Sequence, residues 1–82
     1  MEDADLIHRI GELAEEERQL EEAHASTADG LNESERERLE RLQVTLDQAW
    51  DLLRQRRALR HAGRDPDEAE ERPADTVERY LQ

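Results

Sequence analysis

Apolar residues return at helical intervals in two separate stretches of the chain. From Asp3 to His24 the positions Leu6, Ile10, Leu13, Glu17, Leu20 and His24 alternate spacings of four and three. That is the heptad rhythm of a helix burying one stripe. Ile7 and Ala14 widen the stripe on one side. Asp3 or Asp5 suits the cap of this helix, and carboxylates there favour the positive end of its dipole. Gly11 is a local weakness, costing about 1 kcal/mol relative to alanine.

Residues Ala25 to Leu31 break the rhythm with small and turn-forming residues, and Gly30 is available for positive φ. A second stretch then opens on Asn32-Glu33-Ser34-Glu35, a capping side chain three residues ahead of a glutamate. Its apolar positions are Leu39, Leu42, Leu46, Ala49 and Leu53, with Trp50 beside them. Glu33–Arg36, Glu35–Arg38 and Glu37–Arg41 supply helical charge pairs on the outer face. Gly63 fits a C′ position and Pro66 follows, so this helix stops near Ala62.

The pattern predicts an all-α fold, an antiparallel two-helix hairpin with helices over about 3–24 and 33–62. The hairpin occupies 1–63 and an acidic, partly ordered tail occupies 64–82. Folding about the loop sets Leu20 near Leu39, and Leu13 near Leu42 and Leu46. It sets Leu6 and Ile10 near Trp50 and Leu53. The second helix then overhangs the first by roughly two turns, Gln55 to Ala62. In the tail, Asp65-Pro66-Asp67-Glu68 reads as cap, N1 proline and acidic first turn. Pro73 starts a second short turn reaching Tyr80. Val77, Tyr80 and Leu81 are the large apolar residues there. Two thin stripes leave each helix wet on one side, which predicts a homodimer closing into a four-helix bundle.

Composition agrees with a thin core. Charged residues make up 43% of the chain and hydrophobic ones 34%, with one Trp, one Tyr and no Phe. A leucine seam needs few aromatics. The absence of cysteine excludes disulfides and thiolate metal sites. No apolar run nears membrane-spanning length, and the acidic start Met1-Glu2-Asp3-Ala4-Asp5 is unlike a signal peptide, so a cytoplasmic protein is expected. All twelve basic residues are arginine. A net charge of −11 argues against general nucleic-acid binding and against anionic membranes.

Against that acidic background stands a basic run. Arg54, Arg56, Arg57, Arg60 and Arg64 fall within eleven residues that contain no acid. Cations suit a helix C-terminus, but Arg56–Arg60 and Arg57–Arg60 are like-charge pairs at helical spacing and cost stability. The cluster calls for anions. The tail offers Asp65, Asp67, Glu68, Glu70, Glu71, Asp75 and Glu78. An external acidic protein, phosphate or nucleic acid is the alternative partner.

Three further candidates are weaker. Glu21 and His24 form a Glu-x-x-His pair, the spacing of di-iron bundles, with Glu17 one turn earlier. A His at a helix end also suits the dipole, and leucines, not carboxylates, face this region, so no metal or other cofactor is assigned. Trp50 reads as core or as the aromatic anchor of a helix–helix interface, and the interface is favoured. Ser26, Thr27 and Ser34 lie around the loop, far from His8, and form no nucleophile–base pair, so no catalytic residue and no enzyme is expected.

Three segments also carry a resemblance. They are Leu46-Asp47-Gln48-Ala49-Trp50-Asp51-Leu52-Leu53-Arg54-Gln55-Arg56-Arg57-Ala58, then Gly63-x-Asp65-Pro66-Asp67-Glu68-Ala69, then Arg72-Pro73-Ala74-x-Thr76-Val77-Glu78-x-Tyr80. Together they resemble a family of short actinobacterial proteins that carries only a domain-of-unknown-function label. The resemblance implies a stand-alone bacterial cytoplasmic protein and transfers no activity, ligand or catalytic residue. The residues themselves favour a non-enzymatic, self-associating protein-interaction module. The alternatives are a metal-binding bundle and an acidic regulator that contacts nucleic acid or phosphate through its arginines.

Overall fold

The two heptad stretches form α1 (Asp3–Ala25) and α2 (Glu33–His61). In the computed structural model, which describes residues 2–25 and 30–80, they lie antiparallel. Asp3 at the start of α1 meets Arg56 and Arg60 near the end of α2, while Glu16 meets Arg38. Positions 26–29 of the expected loop, with Ser26 and Thr27, lie outside the described residues, as does Leu81.

The helix ends follow from local chemistry. Asn32 accepts the Glu35 N–H at 2.8 Å, and the Glu35 carboxylate accepts the Asn32 N–H at 3.2 Å, completing the expected capping box. At the other end Gly63 takes φ +73°. Its N–H donates to the Arg60 carbonyl at 3.0 Å, and the Arg64 N–H donates to the Leu59 carbonyl at 2.8 Å. These two bonds are the Schellman ending, which needs a left-handed residue where glycine stands.

Leu6, Ile10, Leu13, Leu42, Leu46, Ala49 and Leu53 form the buried core between the helices, with Leu20 and Leu52 packed against it. Leu39 is half-buried. Trp50 lies beside the seam, as expected from its position next to Ala49. It is 43% exposed, because Ala49, one position earlier, occupies the seam.

The tail does not trail away. Asp65 accepts the Asp67 N–H at 2.9 Å and caps a single 3₁₀ turn at Pro66–Glu68. Pro73 then opens α3 (Ala74–Tyr80). Both pieces pack on α2. Val77 becomes fully buried, and Asp51, on the side of α2 turned away from α1, is buried as well. Thus α2 is the central helix, with α1 along one side and the tail along the other. The molecule measures 52 × 25 × 16 Å.

Candidate functional site

The informative region is the second half of α2, where the basic run meets its anions. Arg56 points into the protein and is 5% exposed. Its Nε donates to Asp3 Oδ1 at 2.6 Å, and one terminal nitrogen donates to Asp67 Oδ1 at 2.8 Å and to the Pro66 carbonyl at 3.3 Å. One guanidinium therefore joins the start of α1, the last turns of α2 and the tail. Its planar fork allows this where a lysine would offer one point charge. Arg60 donates to the other Asp3 oxygen at 2.7 Å, so Asp3 sits between the two arginines and screens their repulsion.

The charges respond accordingly. Hydrogen bonds from Arg60 and then Arg56 hold the Asp3 carboxyl at about 2. The Arg56 hydrogen bond also lowers Asp67. Arg56 is raised in turn, chiefly by Asp3 and then by Asp67.

Asp3 was expected as a cap. Its carboxylate serves instead as a long-range anion, because the register carries it to Arg56. For the same reason the overhang of α2 is shorter than expected: it begins beyond Arg56 and not at Gln55. Arg64 pairs with Glu68. Arg54 and Arg57 are exposed and form no ion pair among the described residues.

A second polar layer ties down the tail. Gln55 donates to Asp51 Oδ2 at 2.9 Å and to the Glu70 carbonyl at 2.8 Å. Arg72 lies 3.4 Å from Asp51, and Gln48 donates to the Arg72 carbonyl at 3.2 Å. Sequence reasoning missed Gln48, Asp51, Gln55 and Arg72, which looked like outer-face residues of α2 and a solvated tail. Their signal was an i, i+4 spacing on the side opposite the leucines, shared by Asp51 and Gln55.

At the loop end, His24 Nδ1 accepts the Leu31 N–H at 3.2 Å, and Arg36 donates to the Leu31 carbonyl at 3.2 Å. Leu31 is buried, and it too was missed. His24 thus fastens the loop. Glu21 is exposed and Glu17 half-buried. Among the described residues no three His, Asp or Glu side chains converge to hold a metal ion. Nor is any helix there long and apolar enough to cross a membrane.

The remaining surface feature is apolar. Ile7 is 50% exposed and Trp50 43%. The pairing of Asp3 with Arg56 sets Ile7 level with the turn of α2 that contains Trp50, since each helix advances one turn in about four residues. The opposite flank of the hairpin is where Arg9, Thr45, Leu52 and Glu71 line a common groove. At ~100° per residue, Ile7 and Trp50 both turn to the other flank.

Comparison with known proteins adds a family and no activity. No solved structure matches the chain significantly. Uncharacterized proteins of Mycobacterium tuberculosis and Mycobacterium bovis are each 48% identical over 79 residues, covering 95% of this chain and 88% of theirs. The model of a family described as a protein of unknown function, DUF2630, matches residues 2–82. The chain, with its arginine-centred junction of both ends on α2, belongs to that DUF2630 family.

Proposed function

We propose that this protein is a non-enzymatic, cytoplasmic interaction module that self-associates, two hairpins meeting through the flank of Ile7 and Trp50. The observation carrying this reading is that pair of half-exposed large side chains at one level of one flank. The other large apolar groups among the described residues are at least partly covered. Val77 on α3 is buried against α2, and Leu31 is buried beside His24 and Arg36. An indole left in water forgoes a large area of burial that a partner surface would recover. A second copy offers the same flank, and an isologous contact about a two-fold axis matches it to itself. The hairpin of residues 1–63 supplies the helices of the bundle, and the 3₁₀ turn and α3 of the tail lie on the far side of α2.

Sedimentation of the full chain from roughly 1 to 100 μM tests this, a range that brackets a micromolar association. The expected result is a dimer whose tryptophan emission moves to the blue as it forms. Trp50→Glu and Ile7→Glu should remain helical by circular dichroism yet sediment as monomers. A wild-type monomer across the range, with solvent-exposed emission, overturns the reading.

A second reading has one supporting observation. Arg56, Arg60 and Arg64 are engaged within the chain, whereas exposed Arg54 and Arg57 lie one and two turns beyond Trp50. They suit carboxylates on an acidic protein partner more than a nucleic acid, which needs a wider basic surface. Arg54→Gln with Arg57→Gln should leave self-association intact and weaken salt-sensitive binding to an acidic partner. A salt-dependent gel shift lost in that double variant would favour nucleic acid instead.

A further inference from the structure

We infer that Asp47 on α2 and Glu78 on α3 form a proton-sharing latch, which holds the C-terminal helix down while one carboxyl is protonated and releases it when both are ionised. The geometry begins with an anomaly. Glu78 Oε1 is buried and has no hydrogen-bond partner. A buried carboxylate oxygen left unpaired is costly. The group facing it is another acid, Asp47. Two carboxylates cannot make a hydrogen bond, but a carboxyl and a carboxylate can, because the protonated member gains an O–H donor. The orphan oxygen therefore marks a place for one proton.

Among the described residues no ion pair removes that need. Among the described helices α3 packs only on α2. On α3 itself, Arg79 lies 3.6 Å from Asp75, and both are well exposed. On α2, Asp51 is held by Gln55 and Arg72, and Arg41 lies 4.0 Å from Glu37. Neither Asp47 nor Glu78 forms an ion pair among the described residues. The Glu78 carboxyl is accordingly raised, first by the hydrogen bond that a shared proton makes with Asp47, then by burial, then by the Asp47 charge.

The direction of the switch follows. A carboxyl raised in the docked state stabilises docking fully below its ordinary value of 4.5, and that contribution is lost as pH rises through the raised value. Helix α3 has seven residues, too few to persist undocked. Its main anchors are Val77 and the approach held by Gln48 on the Arg72 carbonyl. Release is confined to this helix, because Arg56 holds the 3₁₀ turn independently. Undocking uncovers the site of Val77 on α2, so the protein carries an acid-closed cover over one face of its central helix.

The test uses the full chain and follows the Val77 methyl and the backbone amides of 74–80 by NMR from about pH 4 to about pH 8. The expected result is one titration, midpoint above the ordinary glutamate value, carrying these signals from docked toward undocked positions. Glu78→Gln supplies a permanent N–H donor to Asp47 and should keep α3 docked throughout, abolishing the titration. Asp47→Asn should do the same from the other side, and Asp75→Asn should titrate like wild type. The inference is overturned if the wild-type signals do not move, if Glu78→Gln titrates unchanged, or if Glu78→Gln is undocked at every pH.

Discussion

Gly63 and Gly11 should respond to alanine in opposite ways. Gly63 holds φ +73° in open space, so Gly63→Ala strains only the backbone and should cost about 1 kcal/mol. Gly11 lies within α1 with nothing near its missing Cβ, so Gly11→Ala should stabilise by about 0.5–1 kcal/mol. Gly30→Ala should be worse than either, since the φ is again +73° and the new methyl would meet His24 Cε1 at 2.8 Å. Urea unfolding of the three variants checks the order. Asp3 gives a pH signature. Held at about 2 against an ordinary 3.8, it contributes stability present above pH 4 that is lost as pH falls toward 2. Wild-type melting temperature should therefore drop over that interval, and Asp3→Asn should start lower and flatten the drop. The glycine and Asn32 roles were legible because each acts on residues a few positions away. The role of Asp3 was not, since its partners lie 53 and 57 residues along the chain.

The two long helices could be read from leucine spacing, because a single buried stripe leaves a single period. Helix α2 is buried on two sides, and only the apolar side leaves that trace. Its other side uses Gln48, Asp51 and Gln55, which in sequence look like solvated positions. The turns of the tail were legible from Asp65-Pro66 and Pro73, and the acids behind the arginine run pointed to a clamp, but the seat of α3 was not legible, because it rests on one valine and a set of polar contacts. Val77→Ala removes two buried methyl groups and should cost about 1.5–2 kcal/mol. Hydrogen exchange should show the loss within α3 and leave α1 protected. Leu53→Ala, at the centre of the main core, should cost about 2–5 kcal/mol and loosen both long helices.

At the scale of the molecule, the arginine run is a junction before it is a surface. Its sequence signature was plain, like charges crowded at helical spacing with acids close behind. What remained hidden was the division of labour. One arginine turns inward to both chain ends, and two stay outside. Ending the chain at Gly63 removes Asp67, so the truncated protein should melt lower and bind polyanions more strongly at low salt. Thermal melts and retention on a polyanionic resin measure both effects, and the absence of both would remove the tail from the electrostatics of the fold.

Arg56 also sets an order on biosynthesis. Asp3 leaves the ribosome first, Arg56 much later, and Asp67 later still, with the segment that follows α2. Until that segment emerges, the guanidinium has half its partners and every reason to stay in water. The nascent protein therefore reaches its stable form only after Asp67 has joined, and products cut short before Asp67 leave Arg56 with Asp3 alone. Such fragments should be marked for proteolysis by their own instability. A pulse-chase of chains ended before and after Asp67 should show a step in lifetime between them.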